Sequence, residues 1–285
     1  MKEKSGISVF QRVSLSDKDF KRLSEFIYTN YGIKMPQQKK IMLEGRLQKR
    51  LRHWGFDNFA QYCDFVFSEQ GQQAEVIHMI DVVSTNKTDF FRESAHFDFM
   101  TEHILPEYQA KGVNHLNIWS SACSSGEEPY TIAMVMNEFI EKNKAYLRYN
   151  VLCTDISSEI LAKAKQGIYQ LDRIENIPLS LKRKYFLRSK GNDKPTVRII
   201  PELRKKMSFM RLNLMDPWYN VPEKYDIIFC RNVLIYFDFE TQEKVINKLC
   251  DQLKPGGYFF LGHSESAINK NVPLKQLKPT IFVRT

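Results

Sequence analysis

After about residue 115 the chain reads as short apolar runs, at 115–119, 150–153, 225–230, 257–261 and 280–283, that close in polar loops and lead into helical stretches. Runs this short and this uniformly apolar are the pattern of strands buried on both faces, as in a parallel sheet covered by helices. The fold class that follows is α/β, an open doubly wound sheet. Between Gly167 and Met215 the alternation breaks. Phe186-Leu187-Arg188, the polar turn Ser189-Lys190-Gly191-Asn192-Asp193 and Val197-Arg198-Ile199-Ile200 predict an inserted β-hairpin there.

Residues 1 to about 85 follow a different period. An N-cap at Ser14 or Ser16 leads into Phe20, Leu23, Phe26 and Ile27 at helical spacing, and Gly32 closes the helix. A second helix follows Pro36 and stops at Gly55, with Leu43, Leu47 and Leu51 as its apolar stripe and Lys39, Arg46, Lys49, Arg50 and His53 on a neighbouring face. Two further amphipathic helices carry Phe59, Tyr62 and Val66 after Asp57 or Asn58, and Val76, Ile77, Ile80 and Val83. This segment is expected to be a small helical bundle.

Hydrophobic residues at 43% and aromatics at 13% place the 285-residue chain among globular proteins. The longest apolar runs fall far short of the ~18 residues of a membrane span, and residues 1–17 lack the apolar core of a signal peptide. The expectation is a cytoplasmic protein with no direct membrane insertion. Cys63, Cys123, Cys153, Cys230 and Cys250 are odd in number, widely spaced and free of any C-x-x-C pair, which argues against disulfides and against a zinc site. No metal is expected. A net charge of +9 predicts attraction to nucleic acid, membrane headgroups or an acidic protein, and composition alone does not choose among them.

In an open α/β sheet, ligands bind beyond the carboxyl ends of the strands, so the loops that follow the apolar runs carry the chemistry. The first is Ser120-Ser121-Ala122-Cys123-Ser124-Ser125-Gly126-Glu127-Glu128-Pro129-Tyr130. It lacks the G-x-G-x-x-G of dinucleotide sites and the Lys of a P-loop. Two carboxylates at a helix start repel phosphate and suit a cationic, phosphate-free ligand bearing an amino group, such as S-adenosylmethionine; equally, acidic residues there can simply cap the helix. Asp155, after the second run, is placed to accept hydrogen bonds from a ribose diol, or to act as an ordinary N-cap. Asn213 and its neighbours offer an amide and backbone groups to an adenine edge, and Arg231-Asn232 interrupt an apolar run where polar groups need partners.

These loops, together with Ser84-Thr85-Asn86-Lys87-Thr88-Asp89-Phe90-Phe91-Arg92-Glu93 and Gly262-His263-Ser264-Glu265, closely resemble the CheR family of chemoreceptor glutamate O-methyltransferases over nearly the whole chain. The resemblance implies a class I methyltransferase domain over 86–285, an N-terminal helical domain over 1–85 that docks substrate, and a small β-subdomain inserted at about 174–205. It implies S-adenosylmethionine as cofactor, S-adenosylhomocysteine as product, and the cytoplasmic helical domain of methyl-accepting chemoreceptors as partner, without nucleic acid. The family's cofactor positions carry over to Asn86, Thr88, Arg92, Glu128, Asp155, Asn213, Leu214, Arg231 and Asn232, and its active-site candidates match Arg92 and Tyr236. Tail-binding members resemble one another in a glycine-rich turn, where this chain keeps one glycine, in Ser189-Lys190-Gly191; tethering of a receptor tail stays open.

The implied reaction is in-line displacement, in which a glutamate carboxylate attacks the sulfonium methyl. Arg92 suits bidentate orientation of that carboxylate, or serves only the cofactor's own carboxylate. The basic helix face around Arg46, Lys49 and Arg50 is either a docking surface for a Glu-rich receptor helix or a solvated face. Two other functions remain on this reading. An RNA methyltransferase would use the same basic surface, though aromatic and basic residues are not interleaved as in a stacking platform. A non-catalytic cofactor-binding adaptor would not need Arg92 and Tyr236.

Overall fold

The computed structural model describes residues 12–191 and 195–285, so residues 1–11 of the N-terminal stretch read above and Asn192 and Asp193 of the polar turn lie outside the described residues. The chain divides into two compact units between Ser84 and Thr85.

The first unit is helical. Helix α1 (Asp17–Tyr31) begins where the Ser16 hydroxyl accepts the Asp19 amide, and it buries Phe20, Leu23 and Ile27. Helix α2 (Lys40–Trp54) buries Leu43, Leu47 and Leu51, and α3 (Phe59–Phe67), capped by Asn58, buries Phe59, Tyr62, Cys63 and Val66. A helix that the periodicity did not predict, α4 (Glu69–Ala74), is capped by Ser68 and precedes α5 (Val76–Val83). Its sequence, Glu-Gln-Gly-Gln-Gln-Ala, has no apolar stripe, so it carried no helical signal. At the centre sits Glu75, fully buried. Its carboxylate accepts from Arg50 Nε at 2.9 Å, from a second Arg50 nitrogen, from Trp54 Nε1 at 2.7 Å and from the Tyr62 hydroxyl at 2.7 Å.

The second unit opens with α6 (Ala95–Phe99), a π-turn over Met100–Ile104 and α7 (Leu105–Ala110). There follow β1 (His115–Ser120), α8 (Glu127–Asn143), β2 (Arg148–Asp155) and α9 (Ser158–Gln166). Then come β3 (Ile168–Gln170), α10 (Leu179–Tyr185), β4 (Phe186–Arg188), β5 (Thr196–Ile199) and α11 (Pro201–Arg204). The unit closes with β6 (Met207–Arg211), β7 (Tyr225–Cys230), α12 (Phe239–Gln252), β8 (Leu253–Leu261), β9 (Leu274–Lys278) and β10 (Ile281–Arg284).

Seven strands form one sheet in the order β6-β2-β1-β7-β8-β10-β9. Pairing is parallel from β6 to β8, and β10 runs antiparallel to both β8 and β9. Successive residues of β7 enter opposite cores: Ile227 and Phe229 pack with α8 residues such as Ile132 and Met136, while Ile228 and Cys230 pack with Val245 and Leu249 of α12. That two-sided burial is why the strands read as unbroken apolar runs. The alternation missed β6 and β9, the two edges of the sheet. Four of the five residues of β9 are exposed and two are lysines, so its sequence reads as surface, and such lysines also discourage further strand pairing.

The small second sheet has three antiparallel strands in the order β3-β5-β4. The expected hairpin is β4 and β5, and the insert begins earlier than about 174 because β3, three residues long, pairs with β5 through Ile168 to Gln170. A strand of that length shows no period of its own; only the long-range pairing defines it.

Candidate active site

The loop after β1 is fastened from two sides. Ser121 donates its amide and hydroxyl to the Phe229 carbonyl at 2.9 and 3.0 Å, and the Cys123 amide bonds the Thr154 carbonyl at 2.8 Å. Burial pushes the Cys123 thiol well above its usual range, which makes it a packing residue and no nucleophile. Gly126 sits at φ +98°, where an added Cβ would lie 3.0 Å from the Tyr169 hydroxyl and 3.1 Å from Ala164. Asp155 ends β2, mostly buried. Its Oδ2 accepts the Ser124 amide at 2.9 Å and its Oδ1 the Ser157 amide at 3.0 Å, so the carboxylate holds two loops in place. The Leu212 amide bonds the Asp155 carbonyl at 3.0 Å, which brings Asn213 and the buried Leu214 beside the same strand end.

At the end of β7, Arg231 is the hub. Its side chain is 2% exposed and bridges Glu93 at 2.9 Å and Glu128 at 3.0 Å, while it also donates to the Arg92 carbonyl. Glu128 in turn accepts from the Ser120 hydroxyl at 2.7 Å, and burial raises its pKa against the opposing pull of Arg231. Burial would also raise Glu93, but hydrogen bonds from Asn232 and Arg231 and the Arg231 charge outweigh it and hold the carboxyl at about 2. Burial, with the nearby Arg231 charge, lowers His96 to about 3 and keeps it neutral.

Asn232 adopts φ +59°, and Glu265 makes that turn possible by accepting the amides of Asn232 at 2.9 Å, Leu234 at 2.7 Å and Gly262 at 2.6 Å. At Gly262 a Cβ would lie 2.4 Å from Asn232 Nδ2, so no side chain fits. Tyr236 ends the short 3-10 turn Leu234–Tyr236 that follows.

Arg92 lies between two residues in the left-handed region, Phe91 at φ +55° and Glu93 at φ +56°, uncommon for non-glycine residues and frequent at functional sites. Its Nη1 donates to the Lys87 carbonyl at 3.0 Å, and its Nε stands 3.9 Å from Glu93 Oε1. Asn86 accepts the Ser124 hydroxyl on its carbonyl at 3.1 Å. Glu127 does not serve as a second ligand carboxylate beside Glu128: it accepts from Arg173 at 2.8 Å and from the Ser125 hydroxyl at 2.6 Å. Arg173 also pairs with Asp89 at 3.0 Å and donates to the Thr88 carbonyl, tying the insert to the 86–92 segment. A pocket of about 350 Å³ lies there, lined among others by Asn86, Thr88, Ser125, Glu127, Tyr169 and Arg173.

Family profiles match both units: "CheR methyltransferase, all-alpha domain" over residues 18–84 and "CheR methyltransferase, SAM binding domain" over residues 86–283. The chain belongs to the CheR methyltransferase family. A chemotaxis protein methyltransferase of Borreliella burgdorferi is 43% identical over 274 residues, covering 95% of each chain. The chemotaxis protein methyltransferase of Salmonella typhimurium is 38% identical over 263 residues, 92% of this chain and 88% of that one. This CheR chain therefore carries an S-adenosylmethionine-binding methyltransferase domain on a class I sheet with an all-helical domain before it. Among the described residues no helix is long and apolar enough to cross a membrane.

The cofactor candidates thus fall into three linked groups: Glu128, Arg231, Asn232 and Arg92 around Glu93; Asp155 with Asn213 and Leu214; and Asn86 with Thr88. Glu93, Glu265 and Arg173 were missed as organisers of this CheR site. The first two stood in the recognised motifs without a role, and nothing local marks Arg173. The docking expectation needs correction. Arg50 turns onto buried Glu75, and Arg46 caps the end of α5 through the Val83 carbonyl and, at 3.0 Å, the Ser84 carbonyl. Of the three, Lys49 is the exposed one. A guanidinium on a face beside a helical stripe pairs inward when a buried carboxylate from another helix needs it, which helix spacing cannot foresee.

Proposed function

We propose that this protein transfers methyl groups to glutamate side chains in the cytoplasmic helical domain of chemoreceptors, giving glutamate methyl esters. The observation that carries the reading is the acidic character of the strand ends. Glu128 and Glu93 pair there with the buried Arg231, and the Asp155 carboxylate ends β2, an acceptor set that suits a cationic nucleoside and would repel a pyrophosphate. The relatives' name, chemotaxis protein methyltransferase, supports a substrate within chemotaxis.

When bound, S-adenosylmethionine supplies an electrophilic sulfonium methyl group and leaves as S-adenosylhomocysteine. Asp155 would take the ribose hydroxyls, Asn213 and Leu214 the adenine edge, and Glu128 the amino group, while Arg231 and Asn232 hold Glu128 and the loop in position and Asn86 and Thr88 close the site. A substrate glutamate, with an ordinary pKa of ~4.3, is already ionised at neutral pH, so no general base and no metal are needed for the transfer. Arg92 then orients that carboxylate through its planar fork and Tyr236 positions it, and alignment of this kind is worth up to roughly 7 to 11 kcal/mol.

The test is methyl transfer from labelled S-adenosylmethionine to receptor-containing membranes. Label should enter the receptor and be released as methanol in mild alkali, as an ester requires. Label entering RNA instead would replace this reading with an RNA methyltransferase, and cofactor binding without any transfer would leave an adaptor.

A further inference from the structure

Methyl transfer as derived above leaves two histidines beside the Arg231 hub without a task. Glu93, His96 and His263 bring one ligand atom each within 4.8 Å of one another. His96 Nδ1 stands 3.8 Å, and His263 Nε2 4.0 Å, from Glu93 Oε2. The tautomer of His96 follows from its other side. Thr280 Oγ1 donates its one proton to the Pro279 carbonyl at 2.6 Å, so at 2.8 Å from His96 Nε2 it can only accept, and the imidazole proton is on Nε2. Nδ1 is therefore a bare lone pair. His96 is 1% exposed, and among the described residues Nδ1 has no hydrogen-bond partner. Arg231 reaches Glu93 Oε2 at 2.9 Å, yet no donor reaches Nδ1. A buried nitrogen lone pair turned toward a carboxylate oxygen is an unfavourable pairing that a positive centre between them would relieve.

We propose that Glu93, His96 and His263 form a binding site for a divalent transition-metal ion of the Zn²⁺ type. Two imidazoles and a carboxylate are a ligand set that such ions accept, with the remaining positions left to water. Ligand atoms bonded at ~2.0 to 2.1 Å in a tetrahedron stand about 3.4 Å apart, so the separations of 3.8 and 4.0 Å from Glu93 need to close by about half an ångström, and the two histidine nitrogens, within 4.8 Å of each other, by at most about 1.4 Å. The His263 side chain, 58% exposed, can make that adjustment and gives the ion its path from solvent. The His96–Thr280–Pro279 chain is the outer support that fixes a ligating imidazole's tautomer. The expectation of no metal rested on cysteine spacing; these ligands are nitrogen and oxygen atoms from two distant segments.

The ion would share Glu93 with Arg231, whose other carboxylate is Glu128. Occupancy is thereby coupled to the cofactor site, and this coupling, unlike ion binding, rests on the roles proposed for Arg231 and Glu128. The experiment titrates chelator-treated full-length protein with Co²⁺ and then Zn²⁺. One equivalent of Co²⁺ should develop visible d–d absorption that Zn²⁺ abolishes, and folded His263→Ala should lose both. No binding by the wild-type chain, or equal binding by His263→Ala, overturns the site and leaves a water bridging His96 and Glu93. Calorimetry reads the coupling: saturating Zn²⁺ should shift S-adenosylhomocysteine affinity by about fivefold or more in the wild type and not in His263→Ala. An unchanged constant in ion-loaded protein overturns the coupling, whereas failure of the metal-free chain to bind S-adenosylhomocysteine would strike the cofactor assignment instead.

Discussion

Asp155 has two backbone amides on its carboxylate before any ligand arrives, so its replacement tests organisation and ligand binding together. Asp155→Ala removes charged hydrogen bonds worth ~1.5 to 3 kcal/mol each. Calorimetry should show at least a tenfold loss of S-adenosylhomocysteine affinity, and unchanged affinity would remove Asp155 from the site. Arg92 poses a separate question, since its backbone is held by two left-handed neighbours while its fork touches only the Lys87 carbonyl among hydrogen-bond partners within the described residues. Arg92→Lys keeps the charge and loses the fork. If the fork aligns the substrate carboxylate, single-turnover transfer at saturating cofactor should fall ~100-fold while the dissociation constant of S-adenosylhomocysteine barely moves. A defect confined to that constant would make Arg92 a cofactor ligand and leave Tyr236 alone in the catalytic role.

Among the elements, α2 is the one whose role changed most between sequence and structure. Its Arg50 neutralises Glu75, and removing one partner of a buried pair strands the other charge. Arg50→Met should therefore lower the stability of the helical unit by about 3 kcal/mol, read from urea midpoints. Lys49→Glu should leave that midpoint alone and weaken receptor methylation, if the exposed part of the face docks an acidic helix. Equal methylation by Lys49→Glu would return α2 to a solvated face. Acid should act through Glu75. Burial would raise its carboxyl, but hydrogen bonds from Arg50, Trp54 and Tyr62 and the Arg50 charge outweigh that and hold it below its usual value. With the folded-state pKa depressed, the stabilisation is complete above the unfolded carboxyl range of ~4.3 and is lost as pH falls through the lower folded value. Glu75→Gln should be less stable at pH 7 and should lose less on acidification. A variant with the wild-type acid slope would show that other carboxyls set it.

At the scale of the whole molecule, the proposed substrate is an acidic receptor helix, and toward such a partner a net charge of +9 would make encounter electrostatic. Raising salt from about 0.05 to 0.5 M, which shortens the screening length from ~14 to ~4 Å, should raise the KM for receptor several-fold and spare kcat. A KM indifferent to salt would mean that apolar contacts dominate docking. The sequence by itself determined the fold class, because two-sided burial leaves strands such as Tyr225–Cys230 no polar face and strand-end loops no choice but to carry the ligand groups. It narrowed two helix starts to Ser14 or Ser16 and to Asp57 or Asn58, since caps are local chemistry, and the fold chose Ser16 and Asn58. It also determined the family, through motifs that stay together along the chain. Only the tertiary structure decided the partners of charges: Arg231 between Glu93 and Glu128, Arg50 on Glu75, Arg173 on Glu127. A charged side chain is indifferent to its neighbours in sequence and is satisfied by whatever opposite charge the fold brings within about 3 Å, across 138 residues in the case of Arg231 and Glu93. The edge strands β6 and β9 and the short β3 were decided in the same way, by ladders whose partners are remote, where exposure or brevity erases the period that would have announced them.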